Sequence, residues 1–373
     1  MFDSVGNTPE NAGRRPAAEP PKQILQFSRA QGSLIDLTQP WQNLFAESGF
    51  LPTQDVDWIL AAIQTFHSPN DLHIATVETV QGLGIDAVAP LVMQGIGAVG
   101  HLVFLSQTLL RHPMDVLARD EAAMKTLLRQ MVNVGRPIYL QRVLSSSPLV
   151  ALLAKKPPLT AAVHISPAPS YPVLTLDDSW VTPEARISTE YRQHLERSTE
   201  QALQVGQIRP SILSPRPDQL AALLSLVFRI EAAGHTSPSV DSIIHNPQLV
   251  TFFMRYAALA AAKGTLRILM LHLDAQPAAM QFAVELGDRL WLLRSGHDLR
   301  FANCHLDEIL MRHAVAYAAA KKLLAYEILG RSPAWIANWQ PQHRGCVAIR
   351  IYPRTPRGTI AMLQRPFTSQ TTP

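Results

Sequence analysis

From Thr265 to Trp339 the chain reads strand, turn, strand, tight turn, strand, loop, helix, strand, an order that few folds accommodate. Leu266 to Leu273 is apolar enough for a buried strand, Asp274-Ala275-Gln276-Pro277 is a turn, and Ala278 to Leu286 is a second strand. Gly287-Asp288 closes a hairpin into a third strand, Arg289 to Arg294. After a polar loop from Ser295 to Leu306, Asp307 opens a helix whose inner face is Ile309, Leu310, Ala314, Tyr317 and Ala318. Leu324 to Leu329 returns as a strand. In such a unit an anionic ligand settles where the loop feeds the helix, because the first backbone N–H groups of a helix have no partners inside it.

The remaining chain is long enough for a second domain. With 373 residues, 47% of them hydrophobic and 17% charged, it can bury two ordinary cores and is not a disordered polymer. The formal charge of +4 excludes little. Two cysteines make neither a disulfide framework nor a metal quartet, and thirteen histidines lie scattered without metal-ligand spacing, so no metal is expected. Neither a signal peptide nor a spanning helix is expected. Ile85 to Leu110 is apolar but is broken by Asp86, Pro90, Gln94, His101 and Gln107, which suits a buried strand and loop. A cytoplasmic protein follows as the expectation.

In chain order, residues 1–31 read as a disordered tail, and Ser33 to Leu37 as a short strand followed by a helix capped by Thr38. Val56 to Phe66 is helical, Leu72 to Val80 and Ile85 to Val92 form a hairpin, Asp120 to Val134 is helical, and Pro137 to Val143 is a strand. Residues 156–172, rich in proline, are expected to link a first domain at 32–155 to a second at 173–353, with a basic tail at 354–373. Helices are expected at Ser188 to Gly206, Pro217 to Ala233 and Pro247 to Lys263, and a closing strand at Gly345 to Tyr352.

Three phrases carry a family resemblance: Ala260 to Arg267, then Gly287 to Asp298, then Leu329-Gly330-Arg331-Ser332-Pro333-Ala334-Trp335-Ile336-Ala337-Asn338-Trp339. They resemble the second domain of GNAT-type acetyltransferases of the CelD class, often labelled as acting in cellulose biosynthesis. The resemblance extends upstream through Ile187 to Glu231. It implies an α+β protein of two tandem GNAT-like domains, each a mixed sheet flanked by helices. It also implies acyl transfer from acetyl-CoA or another acyl-CoA to an amine or hydroxyl, on a small molecule or a saccharide precursor. The pantetheine arm would lie between the third and fourth strands against the backbone of Leu292, Leu293 and Arg294. The diphosphate would meet His305, Asp307, Glu308 and Arg312.

Here the sequence departs from the family it resembles. Where the family carries Ser-Pro-Gly before the helix, this chain has His305-Leu306-Asp307-Glu308. Two carboxylates at a helix N-terminus stabilise the helix by about 0.3–1 kcal/mol each. Against a diphosphate each close pair costs about 1 kcal/mol in water and several times that at a drier site. Asp307 also suits an ordinary N-cap, with Leu306 and Met311 as its apolar staple. Downstream of Glu231 the family's Trp-Lys pair is His235-Thr236. Glu231 and His235 are the candidate general bases, and Asp298 either caps its loop or orients a substrate. Two further readings stay open: a GNAT-fold protein that binds or regulates without transfer, and a FemAB-like aminoacyl transferase, which would bind RNA with strong salt dependence. No nucleic-acid partner is expected from the charge pattern.

Overall fold

The computed structural model describes residues 31–364, apart from 80, 81, 83, 96–99, 237–241 and 331. The expected N-terminal tail therefore lies outside the described residues, save Gln31. The first half comprises α1 (Gln31–Ser48), α2 (Val56–Phe66), β1 (Leu72–Glu78), β2 (Ile85–Gln94), β3 (His101–Phe104), α3 (Gln107–Leu110), β4 (Leu117–Ala118), α4 (Glu121–Asn133), β5 (Ile138–Leu144), α5 (Pro148–Lys155) and β6 (Ala161–Thr175). The second comprises α6 (Thr189–Val205), β7 (Ile208–Leu213), α7 (Leu220–Ala233), α8 (Pro247–Ala262), β8 (Leu266–Leu273), β9 (Gln276–Leu286), β10 (Arg289–His297), α9 (Leu306–Ala320), β11 (Ala325–Ile328), β12 (Gln342–Pro353) and α10 (Pro356–Leu363).

Most helix starts follow from their capping residues. The side chains of Asp120, Ser188 and Asn246 accept hydrogen bonds from first-turn amides of α4, α6 and α8, and Ser147 does the same for α5 ahead of Pro148. One expectation fails at the start of the chain. The segment Ser33 to Leu37 is not a strand but part of α1, which runs on through Pro40. Five residues of alternating pattern are too few to separate the two periods.

The strands form one sheet in the order β1-β2-β3-β5-β12-β6-β11-β10-β9-β8-β7, with β4 paired to β2 outside that path. Each half repeats one plan, an antiparallel run ending in a parallel pair. In the first half β3 and β5 are parallel, with α4 in the crossover; in the second β10 and β11 are parallel, with α9 in the crossover. The long last strands are exchanged. β12 pairs with β5 of the first half, β6 pairs with β11 of the second, and β6 and β12 pair with each other.

This exchange corrects the expected linker. Residues 161–175 are strand, although Pro167, Pro169 and Pro172 lie within them. On the β11 side only Val173 to Thr175 are paired, so over most of its length β6 has β12 as its ladder partner. A proline whose missing N–H would face an open side is tolerated there. Within the tail expected at 354–373, Pro356–Leu363 form α10, which Thr355 caps through the Gly358 amide; residues 365–373 lie outside the described residues.

Helices α7 and α8 cover one face of the second half, and α6 and α9 cover the other. The first of these layers merges with the core of the first half, where fully buried Trp58 of α2 meets Phe252 and Tyr256 of α8 edge-on at 4.9 and 5.0 Å. Lys263 fastens the same seam, 2.7 Å from Asp57 and 3.4 Å from Asp55. The expected boundaries at 155 and 173 thus divide the chain but not the sheet or its larger core. Among the described residues no helix is long and apolar enough to cross a membrane, and the apolar stretch from Ile85 to Leu110 is β2, β3 and α3.

Candidate functional site

Strands β10 and β11 pair in parallel from Arg289↔Ala325 to Leu292↔Ile328 and no further. Two features end the pairing. β10 bulges against β9 between Leu292 and Arg294, and the amides of both Leu329 and Gly330 converge on the Leu292 carbonyl, at 3.0 and 3.1 Å. Gly330 is held so close to β10 that a Cβ there would sit 2.8 Å from the Leu293 carbonyl oxygen. Beyond this point the strands part into a cleft of about 1190 Å³, whose walls include Leu293, Arg294, Ser295, Gly296 and His297 on one side and Leu329 and Gly330 on the other. Among the described residues no strand pairs with β10 on this side beyond Leu292, so its edge from Leu293 to His297 borders the cleft.

A second wall comes from the end of α7. Gly296 permits it, because a Cβ at this position would lie 2.7 Å from the Glu231 Cα. Glu231 is 4% exposed; its Oε2 accepts from the Ser242 hydroxyl at 2.8 Å and the Ile243 amide at 3.0 Å. Its Oε1 faces His235 Nε2 at 3.6 Å. The two candidate bases are therefore neighbours on one wall, a carboxylate anchored from behind and an imidazole in front of it. Asp298 does not join them. It caps the short 3-10 helix Leu299–Cys304 and grips Arg300 at 2.6 and 2.9 Å. Burial raises its carboxyl, but the Arg300 hydrogen bonds outweigh that and hold it below its ordinary value.

The third wall is the start of α9. His305 precedes it in the left-handed region with φ 47, a conformation unusual for a side-chain-bearing residue. Asp307 accepts from Trp335 Nε1 at 2.8 Å and lies 3.5 Å from His297 Nδ1. Glu308, 3% exposed, accepts from Tyr191 Oη at 2.7 Å and lies 3.3 Å from His194 Nε2 and 3.1 Å from His305 Nδ1. Trp339 Nε1 donates in turn to Tyr191 Oη at 3.1 Å. Both carboxylates expected at the helix N-terminus are thus engaged by side chains. Of the expected contacts, Leu293, Arg294, His305, Asp307 and Glu308 line the cleft, whereas Leu292 is buried and does not line it, and Arg312 faces Glu184 at 3.4 Å.

Sequence reasoning missed the fourth wall altogether. Leu109, Leu110, Arg111, His112 and Arg142 of the first half also line the cleft. Arg111 and Arg142 both take positive φ, 54 and 52, and Arg142 Nη1 donates to the Arg111 carbonyl at 2.6 Å. His112 reaches across the halves to donate from Nε2 to the Leu293 carbonyl at 3.3 Å. Full burial pushes its imidazole down to about 3, so it stays neutral. No pattern in the sequence marks this wall, because it depends on single left-handed residues and on contacts some 180 positions apart. His305 and Glu308 were expected at the cleft, but their meeting with His194 was hidden, because His194 lies on α6 and the other two at the start of α9.

Comparison with known proteins places this architecture. Residues 189–335 match the family model described as "Acetyltransferase (GNAT) domain". No curated protein sequence matches the chain. The structure is similar to that of FemX, at 10% identity and a TM-score of 0.58 over 88% of this chain and 98% of that one. It is similar to L-PGS from Bacillus licheniformis, at 9% identity and a TM-score of 0.51 over 87% and 94%. A conserved protein of unknown function from Bacteroides thetaiotaomicron VPI-5482 aligns at 12% identity and a TM-score of 0.52 over 88% and 99%.

Proposed function

We propose, starting from a GNAT fold present as two tandem halves in one α+β sheet, that this chain moves an acyl group from an acyl-CoA donor to an amine or hydroxyl acceptor. One observation carries the reading: β10 and β11 stop pairing at Leu292↔Ile328 and leave the backbone edge from Leu293 onward facing a cleft. An extended chain of amides, such as a pantetheine arm, adds to such an edge as a strand would. The thioester carbon then lies near the wall that holds Glu231 and His235. His235 takes the acceptor's proton, and the Glu231 carboxylate at 3.6 Å orients the ring and steadies its charge. The CelD-like phrases favour a hydroxyl or amine on a saccharide as acceptor.

A second reading rests on the start of α9. Asp307 and Glu308 occupy the turn that a diphosphate would use, and each is tied into aromatic and imidazole partners. That arrangement suits a protein that kept the fold and binds a partner without transfer. Calorimetric titration with acetyl-CoA and with free CoA, at low and moderate salt, separates the two. Saturable binding that survives moderate salt supports the transferase, whereas no binding of either compound overturns it in favour of the binding protein.

A further inference from the structure

We infer that His194, His305 and Glu308 form a binding site for one divalent transition ion of the zinc class at the mouth of the cleft. The donor atoms are His194 Nε2, His305 Nδ1 and a Glu308 carboxylate oxygen, all within 4.8 Å of one another. His194 Nε2 lies 3.3 Å from the carboxylate and His305 Nδ1 lies 3.1 Å from it. In a tetrahedral site with bonds near 2.0–2.1 Å, neighbouring ligand atoms stand roughly 3.3 Å apart, so two of the three edges already have the required length. The third closes by a small rotation of the imidazoles, whose centroids are 4.7 Å apart.

The surroundings are those of a held ligand. Glu308 is almost fully buried, and its Oε2 is fixed by the Tyr191 hydroxyl, itself fixed by the Trp339 indole. This is the outer-shell pattern that orients metal-binding carboxylates. That anchor leaves Oε1 toward both imidazoles, at 3.1 Å from His305 Nδ1 and 3.3 Å from His194 Nε2. Two nitrogens and one oxygen suit zinc, cobalt or nickel rather than magnesium or calcium, which take oxygen ligands. Glu308 and His305 line the cleft, so a fourth position faces the cavity and can take water or a ligand oxygen. A dication here also offsets the charges of Asp307 and Glu308 at the helix N-terminus.

The test needs no donor or acceptor, so its outcome is separate from that of the acyl-CoA titration. Tag-free protein, stripped with chelator, is titrated with Zn²⁺ by calorimetry and with Co²⁺ by visible absorption. The expected result is one ion per chain, with the intense absorption of tetrahedral cobalt. Binding should be lost in His305→Ala and in His194→Ala with circular dichroism unchanged, since both rings are partly exposed. Tyr191→Phe should weaken it about 10-fold through the freed carboxylate. Absence of saturable binding, or binding that survives both histidine substitutions, overturns the inference.

Discussion

Glu327 on β11 has no exposed surface, and two guanidinium groups hold it: Arg289 Nη1 lies 2.8 Å from one oxygen and Arg344 grips both at 2.8 to 3.0 Å. Removing the carboxylate leaves two partly buried guanidinium groups close together without their counter-charge. Glu327→Ala is therefore expected to cost about 3–5 kcal/mol, seen as a lowered midpoint in urea unfolding; a midpoint within error of the wild type would contradict it. At the cleft, His235→Ala is expected to reduce kcat for acyl transfer about 10²- to 10⁴-fold with little change in acyl-CoA affinity. Glu231→Gln keeps the carbonyl oxygen that Ser242 and Ile243 bond, and should cost less. Equal losses in kcat and donor affinity would argue against a proton-transfer role. Glu231 and His235 were legible as separate candidates, at and just beyond the end of a helix, but their meeting at 3.6 Å was not. The engagement of Glu308 was not legible either, since Tyr191 and His194 reach it, and Trp339 reaches Tyr191, only once α6 and the 3-10 helix Ala334–Trp339 have packed.

Among the elements, the segment from β8 to β11 was readable because its strands are long, apolar and punctuated by turns. β3 and β4, four and two residues long, were too short to read, and two longer strands escaped for other physical reasons. β7 is a sheet-edge strand with a proline and little burial, and β6 up to its last few residues was read as a linker because its prolines were weighed without knowing that one of its sides is mostly unpaired. The close approach of α7 to β10 was also unreadable, although a glycine records it. Gly296→Ala forces a Cβ to within 2.7 Å of the Glu231 backbone, so α7 must shift away from β10. Overpacking of this kind costs about 1–3 kcal/mol, and here it should also displace Glu231 and His235 from the cleft. A lowered thermal midpoint together with reduced turnover, but donor binding kept, is the expected pattern. Unchanged turnover would mean that the α7 wall takes no part in the chemistry.

Across the whole molecule, the two halves meet at a segment whose buried groups titrate against each other. Burial holds His112 down at about 3 against an ordinary 6.5, and burial pushes Asp115 up to about 7 against an ordinary 3.8. Below pH 6.5 the unfolded chain protonates His112 while the folded protein does not, so that residue's contribution to stability is lost as pH falls toward 3. Asp115 works the other way: the folded protein keeps a proton that the unfolded chain releases, so stability is full below 3.8 and is lost as pH rises through 7. Between about pH 4 and 6.5 the two slopes oppose each other, proton for proton. Asp115→Asn is therefore expected to steepen the rise of unfolding free energy with pH in that window, and to be more stable than the wild type above pH 7. His112→Gln, which can still donate to the Leu293 carbonyl, should flatten or reverse the rise. Each change is one proton, about 1.4 kcal/mol per pH unit, so the slopes of the two variants should differ by about 2.7 kcal/mol per pH unit in urea titrations. Burial of His67, whose imidazole is pushed down to about 4, adds to the rising slope in all three proteins and leaves that difference untouched. Parallel slopes in the two variants would show that the seam between the halves admits water and that neither group is buried in solution as the fold places it.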